Sequence, residues 1–350
     1  MRLIFVYWAW EDQGSGLVIQ GYTQAARALG HEVVVLGPPR PNIPLNYSRD
    51  LESADAVIFI FEWTVQLQYG DQLDLARLVG RVPRCRRVVL DGDGNYNDVI
   101  SFEGDYNHRD SAASRCWIEL CDSLSDKICQ PTLHPLRPNV RPFLFYAYNP
   151  TWEVPLDFRA KEYDMLYIGH CKFRWHPMCR VLRAIELVRE EVGRVGLVGV
   201  GWDSLPWWAA PMQLEDSYLS DPAYLRKLGV EVLPPVPFEQ VISWMSKAVF
   251  NPVISRPTFT YFQFVTPRMF ETPAANTIPL LGLDDAHIEE IYGQPALELA
   301  LPADNPQEKI LDMVRRPEYY LDVLTQVRRH LAEKHSHAAR LQELIEIIES

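Results

Sequence analysis

The stretch Tyr261–Gly282, YFQFVTPRMFETPAANTIPLLG, carries the residue types best suited to chemistry in this chain. Pro267 is typical of the first helical turn, where its missing N–H leaves no hydrogen bond unmade. A helix N-terminus attracts phosphate through its free N–H groups and dipole, and Arg268 would add a positive charge there. Glu271 follows one turn later, within reach of a sugar hydroxyl on the same ligand. These spacings fit a phosphate-sugar site, and they equally fit a proline-started helix with a surface ion pair.

A second group of cations follows an apolar run that predicts a strand over Tyr163–Ile168. Gly169 and His170 end this strand, and Lys172 and Arg174 lie in the loop before the next helix. Two cations and a glycine between a strand and its helix suit a diphosphate. The alternative is a solvated basic turn.

Candidate acids and bases lie in the first half of the chain. Asp91 and Asp93 come directly after a strand predicted over Arg87–Leu90, and α/β sheets place their chemistry at the carboxyl ends of strands. We therefore interpret them as acceptor-binding residues or a general base, or else as turn formers. His108, in the polar stretch Glu103–Asp110, is a further candidate.

Metal ligation is not indicated by the six cysteines. The cluster His170-Cys171, His176 and Cys179 has metal-ligand residue types but lacks the CxxC pair of zinc sites. The aspartates of Asp91–Asn95 resemble a calcium loop only at their start, because the Gly/Glu pattern does not continue. We expect reduced thiols, as in the cytoplasm.

Composition sets the class of protein. The 350 residues are 47% hydrophobic and 23% charged, which favours a globular protein of two domains. The net charge of −12 makes nucleic acid an unlikely partner, although a local basic patch could still allow a DNA acceptor. No stretch has transmembrane length and the N-terminus lacks a signal-type cleavage site, so we expect a cytoplasmic protein. Nothing in the sequence indicates the oligomeric state.

Strand and helix patterns alternate along both halves of the chain, which predicts βαβ units and parallel sheets. The first unit runs from a strand at Leu3–Trp8 through a glycine-rich turn, containing Ser15 and Gly16, to a helix over Leu17–Leu29. This turn lacks the GxGxxG dinucleotide fingerprint. A proline-bearing segment at Tyr148–Pro155 predicts a linker between domains at 1–150 and 160–320.

The opening stretch resembles the donor-site motif of GT-B glycosyltransferases, particularly the glycosyltransferase 4 and CgeB-like groups. The matching positions are Arg268, Phe270, Glu271, Ala274, Ala275, Pro279 and Leu280. Retaining members carry a second Glu eight residues before the first, where this chain has Gln263. The segment ALGHEVVVL resembles the opening of GT-B N-terminal domains.

The resemblance implies an α/β fold of two Rossmann-like domains whose parallel sheets face a cleft. It implies a cleft loop at Ser15 and Gly16, and a C-terminal helix at 320–350 that packs back on the N-terminal domain. It also implies metal-independent transfer of a sugar, of hexosyl type, from a nucleotide-diphosphate sugar to an unidentified acceptor hydroxyl, without a cofactor. The implied donor-binding residues are Gly169, His170, Lys172, Arg174, Val236, Thr266, Arg268 and Glu271.

Two other functions remain compatible with the sequence. One is a catalytically inactive nucleotide-sugar-binding or partner protein on the same scaffold, which the Gln263 substitution favours. The other is a nucleotide-sugar epimerase, which shares the two-domain architecture and needs no acceptor. The sugar, the nucleotide, the acceptor and the stereochemistry stay open.

Overall fold

The computed structural model describes residues 1–7, 15–37, 39, 44–50, 53–61, 79–106, 111–211 and 213–350. Eight strands lie in the described part of the first half. They are β1 (Arg2–Val6), β2 (Glu32–Leu36), β3 (Ala56–Phe61), β4 (Arg87–Asp91), β5 (Ser101–Phe102), β6 (Asp105–Tyr106), β7 (Ile128–Gln130) and β8 (Val140–Pro142).

The first sheet is parallel and has the strand order β2-β1-β3-β4-β7-β8. Its central strands are apolar runs buried on both faces, as helix-covered parallel sheets require. The covering helices in the described residues are α1 (Ser15–Ala28) and α2 (Ser111–Leu124). Strands β5 and β6 form a separate antiparallel hairpin.

The second sheet is also parallel, with the order β11-β10-β9-β12-β13. Its strands are β9 (Tyr163–Ile168), β10 (Val195–Val198), β11 (Val230–Leu233), β12 (Ala248–Val253) and β13 (Ile278–Leu281). The accompanying helices are α3 (Trp175–Leu187), α4 (Pro222–Leu228), α5 (Val241–Met245), α6 (Pro257–Phe262), α7 (Arg268–Ala274), α8 (Asp285–Tyr292) and α9 (Pro306–Arg315).

Two helices end the chain, α10 (Leu321–Lys334) and α11 (His337–Glu349). They are separated at Ser336, whose side chain accepts a hydrogen bond from the Ala339 N–H and caps α11. Helix α11 packs on α1 so closely that a Cβ at Gly21 would overlap the His337 ring. The C-terminal helices therefore bring the end of the chain back to its beginning.

Helices long and apolar enough to cross a membrane are absent from the part of the chain that the structure describes.

Candidate functional site

The candidate donor site lies at the carboxyl edge of the second sheet. Strands β9 and β12 are hydrogen-bonded neighbours and run parallel, so the loops that follow them begin side by side. The loop after β9 contains Lys172 and Arg174, and the segment after β12 contains Arg256. The sheet thus brings together cations that lie about eighty residues apart in sequence, at the edge where α/β folds bind ligands.

Four cations lie close enough to His170 to influence its pKa: Arg174, Lys172, Arg268 and Arg256. The His170 side chain retains contact with solvent, but the protein around it and these four positive charges lower its pKa. Its ring is therefore neutral at pH 7 and adds no fifth charge. Arg256 is paired with the buried Asp105 and Arg268 lies beside Glu271, so the local excess of positive charge comes from Lys172 and Arg174. In an otherwise acidic chain this excess favours an anionic ligand.

Arg268 and Glu271 lie together at the start of α7. The Arg268 Nη1 atom is 3.7 Å from the Glu271 carboxylate, and Glu271 is 4% exposed, so burial raises its pKa while Arg268 opposes the rise. The Arg268 Nη1 atom is buried and has no hydrogen-bond partner among the described residues. A buried guanidinium nitrogen without a partner is costly, and a phosphate or sugar oxygen would satisfy it.

Helix α7 is short. Pro267 is its N-cap and the helix spans seven residues, with Pro273 inside. Since so few peptide dipoles align, the positive charge at this end comes chiefly from the Arg268 side chain. Thr266 lies half-buried just before the cap, and its carbonyl oxygen accepts a hydrogen bond from the Met269 N–H at 3.0 Å.

Two further predicted donor residues lie in loops that follow strands of the second sheet, Gly169 directly after β9 and Val236 three residues after β11. The Gly169 N–H donates to the Val198 carbonyl oxygen at 2.8 Å, and the Gly169 carbonyl oxygen accepts a hydrogen bond from the Trp202 indole. These two bonds fix the start of the loop of residues 169–174, the basic loop. Val236 is half-buried and packs with an apolar cluster that includes Leu233 and Trp244. A contact with a nucleotide base at Val236 remains a prediction.

Asp91 is buried at the end of β4, where its carboxylate organises the following loop. It accepts hydrogen bonds from the Asn95 N–H at 2.8 Å, the Tyr96 N–H at 2.9 Å and the Gln130 side chain at 2.8 Å. Burial raises its pKa to about 6 despite these bonds. A residue with no exposed surface and both oxygens engaged suits the turn-forming role better than that of a general base.

The other residues predicted in the first half differ in accessibility. Asp93 is half-buried in the same loop. Ser15 and Gly16 begin α1 and are both buried. His108 lies outside the described residues.

An ion pair that the sequence analysis did not single out joins the two halves of the chain. The Asp105 carboxylate, in β6, is fully buried and accepts from the Arg256 Nε at 2.9 Å and 3.1 Å and from the Thr258 N–H at 2.7 Å. Removing one partner of a buried pair typically costs about 3–5 kcal/mol. Arg256 lies three residues after β12, but nothing in the sequence pattern links it to its partner 151 residues earlier.

Aromatic residues of α6 also contact the first half. A Cβ added at Gly94 would lie 2.9 Å from the Phe262 ring and 3.2 Å from the Phe264 ring. The Val265 N–H donates to the Pro131 carbonyl oxygen at 2.7 Å. Gln263, in the place of the family's second Glu, has a left-handed backbone with φ of 52° and ends α6. The aromatic run of the sequence is thus an interdomain contact.

Comparison with known proteins identifies the fold. No protein-family model matches the chain, and no curated protein matches it. Solved structures do match over the full length of both chains. An alpha-glucosyltransferase in complex with UDP-glucose and DNA containing an abasic site is 11% identical, covers 100% of each chain and has a TM-score of 0.65.

Two structures of the T4 phage beta-glucosyltransferase also match. One is in complex with UDP-glucose (14% identity) and one with UDP and Mn²⁺ (13% identity); each covers 100% of both chains with a TM-score of 0.58. These likenesses confirm the predicted α/β architecture of two Rossmann-like domains with parallel sheets facing a cleft, which is the GT-B fold.

Proposed function

We propose that this protein is a glycosyltransferase that moves a sugar from a nucleotide-diphosphate sugar to an acceptor hydroxyl. The observation that carries the proposal is the gathering of Lys172, Arg174, Arg268 and Arg256 around His170 at the carboxyl edge of the second sheet. The similar structures that contain UDP or UDP-glucose support a uridine nucleotide as the first donor to test. A place in the glycosyltransferase 4 or CgeB-like group remains a prediction from the motif.

The proposed reaction breaks the bond between the sugar C1 and the diphosphate oxygen while the acceptor oxygen bonds to C1. Negative charge develops on the departing diphosphate, and Lys172, Arg174 and Arg268 would stabilise it electrostatically. Glu271, next to Arg268, would bind the donor ribose. The acceptor proton would pass to a base from the first domain, for which Asp93 and His108 are the candidates and the buried Asp91 is the weaker one.

A divalent cation is not required by this scheme, because side chains supply the positive charge. The described residues contain no group of three or more His, Cys, Asp or Glu side chains that could hold a metal ion. A similar structure nevertheless contains Mn²⁺ with UDP. Activity measured after EDTA treatment and again with added Mn²⁺ tests metal independence, and loss of turnover in EDTA that Mn²⁺ restores would contradict it.

The central experiment is a thermal-shift and calorimetry panel of nucleotide sugars, beginning with UDP-glucose. Arg174→Ala and Arg268→Ala should each weaken binding of the donor about 10- to 100-fold, as loss of a charge-assisted hydrogen bond does. Arg183→Ala, an exposed position on α3, is the matched control and should bind like the wild type. If no nucleotide sugar stabilises the wild type, the donor-site proposal is wrong.

The two alternative functions make different predictions in the same assay. A transferase should release free nucleotide diphosphate slowly without acceptor, whereas an inactive binding protein should bind the donor and release none. An epimerase should convert one nucleotide sugar into another. These products are separated by anion-exchange chromatography.

A DNA acceptor is the second candidate for the acceptor, because similar alpha-glucosyltransferase structures contain DNA. The net charge of −12 opposes it, since DNA binding needs cations outside the donor site. Transfer of labelled sugar to duplex DNA containing an HMU base, compared with a panel of small-molecule and protein hydroxyls, distinguishes the acceptor classes. Transfer to DNA that falls steeply with salt concentration would support the nucleic-acid acceptor.

A further inference from the structure

The β5–β6 hairpin of the first domain packs against the second domain beside the start of α3. Gly104, at its turn, has φ of 70°, and a Cβ there would lie 2.8 Å from the His176 ring and 3.0 Å from Leu219. The Phe102 ring packs on the Tyr261 ring with centroids 5.8 Å apart. The hairpin is therefore seated against the segment that opens α3.

Asp105 anchors this hairpin through Arg256. Both oxygens of its buried carboxylate accept hydrogen bonds from the guanidinium, and one of them also accepts from the Thr258 N–H. A bidentate pair fixes the orientation of the guanidinium plane as well as its position. The Arg256 side chain is consequently held in one place, at 12% exposure.

Arg256 in turn contacts the basic loop. Its guanidinium carbon lies 4.0 Å from the centre of the Phe173 ring and 4.9 Å from that of the Phe259 ring. Phe173 has a left-handed backbone, with φ of 59°, and lies between Lys172 and Arg174. Such a conformation in a non-glycine residue persists only where the surroundings hold it.

We propose that Asp105 is a positioning residue for the donor diphosphate. It fixes Arg256 against the Phe173 ring, and this contact holds the loop in the conformation that presents Lys172 and Arg174 to the phosphates. The inference rests on the proposed function and deepens it, because it makes the affinity for the donor depend on a residue of the opposite domain. The donor site is then complete only when the hairpin is seated.

Substitution of Asp105 tests this directly. Asp105→Asn should raise the donor KM about 10-fold or more, by analogy with loss of a charge-assisted hydrogen bond, while kcat at saturating UDP-glucose stays within about 2-fold of the wild type. Glu103→Gln, an exposed carboxylate in the same hairpin, is the matched control and should leave both constants unchanged. Arg256→Lys keeps the charge but loses the bidentate geometry, so it should give the same KM effect.

The double variant and hydrogen–deuterium exchange distinguish positioning from a general loss of structure. Asp105→Asn combined with Arg256→Lys should be no worse than either single variant, because both act through one contact. Amide exchange should accelerate more in residues 169–174 than in the strands of the second sheet, which reflect only the overall loss of stability.

The outcomes separate this inference from the proposed function. If the wild type turns over UDP-glucose and Asp105→Asn matches it in donor KM and in exchange of the loop, the inference is wrong and the function stands. If the wild type binds no nucleotide sugar, the function fails and the donor role of Asp105 fails with it. Exchange unchanged in the loop but faster across the whole sheet would show a purely structural pair, which also overturns the inference.

Discussion

The Arg328 guanidinium donates a hydrogen bond of 2.9 Å to the carbonyl oxygen of Ala275, directly after the last turn of α7. It also donates to the carbonyl oxygens of Pro273 and Ala274, and to that of Val154 in the segment between the two sheets. One buried side chain of α10 thus satisfies four carbonyl groups from two parts of the chain. Because α7 also carries Arg268 and Glu271, the C-terminal helix α10 holds in place the helix that carries part of the proposed donor site.

Replacement of Arg328 should therefore destabilise the protein. Arg328→Ala leaves several buried carbonyl oxygens without donors and should lower the free energy of unfolding by about 2–4 kcal/mol. Arg328→Lys keeps the charge but not the forked arrangement of N–H donors, so it should lower the free energy of unfolding less than Arg328→Ala does. Urea unfolding measures both.

The neighbouring Arg329 is exposed, and Arg329→Ala is the control for the charge alone. A loss of stability in Arg329→Ala as large as in Arg328→Ala would show that the carbonyl contacts are not responsible.

Asp91 should behave as a structural residue and Asp93 as a catalytic candidate. Asp91→Asn cannot accept all three of the hydrogen bonds that the carboxylate accepts, and should destabilise the protein by about 1–3 kcal/mol. Asp93→Asn should leave stability nearly unchanged and, if Asp93 is the base, should lower kcat about 100- to 10,000-fold. Unfolding curves and turnover are measured on the same samples. The assignment would be reversed by an Asp91→Asn variant that is stable but inactive.

The elements that the sequence predicted most accurately are those with strong local signals. The strand predicted over Tyr163–Ile168 has the predicted bounds, and the strand predicted over Arg87–Leu90 extends one residue further, to Asp91, because each is an apolar run with clear ends. The apolar run over 143–146 looks like a strand in the sequence, but the strand at this place is confined to Val140–Pro142 and the apolar residues after it pack in the core. Local pattern shows that a segment is buried but not what pairs with it.

The residues of the candidate site were predictable where charged side chains lie in the loop that directly follows a predicted strand. Lys172 and Arg174 were found by that rule, Arg268 was found from the proline-started helix, and all three lie close enough to His170 to lower its pKa. The Asp105–Arg256 pair was missed, because its partners are 151 residues apart and meet only when the two domains are together. Long-range pairing across a cleft leaves no periodic signal in one sequence.

The junction of α10 and α11 should make stability depend on pH. Burial lowers the pKa of His335 to about 3, and the positive charge of Arg340 lowers it further in the same direction. Burial lowers the pKa of His337 to about 4. In the unfolded chain a histidine has a pKa of about 6.5, so between about pH 6.5 and pH 4 the unfolded chain binds more protons than the native protein. Stability is then full above pH 6.5 and falls on acidification, by about 1.4 kcal/mol per pH unit for each histidine.

Urea unfolding at pH 7, 6 and 5 tests this for the wild type and His337→Gln. The variant should be less stable at pH 7, because the imidazole packs against Gly21 and Tyr22, but its stability should fall less steeply with acid. Asp91, whose raised pKa acts in the opposite direction, is common to both proteins and cancels in the comparison. Equal slopes for the two proteins would exclude His337 as a source of the pH dependence.

Two glycines with nearly equal positive φ angles isolate the contribution of the interdomain contact. Gly94 has φ of 78° and Gly30 has φ of 76°, so an alanine at either position is strained by about 1–2 kcal/mol. A Cβ at Gly30 meets nothing within 4 Å, whereas one at Gly94 meets the rings of Phe262 and Phe264 across the domain boundary. Gly94→Ala should therefore cost about 1–3 kcal/mol more than Gly30→Ala, because the packed rings must move. Urea unfolding of the two variants measures the difference in their free energies of unfolding. Adding Phe262→Leu to Gly94→Ala should restore part of the lost stability. Equal losses for the two glycine variants would show that the aromatic rings move without a cost in free energy.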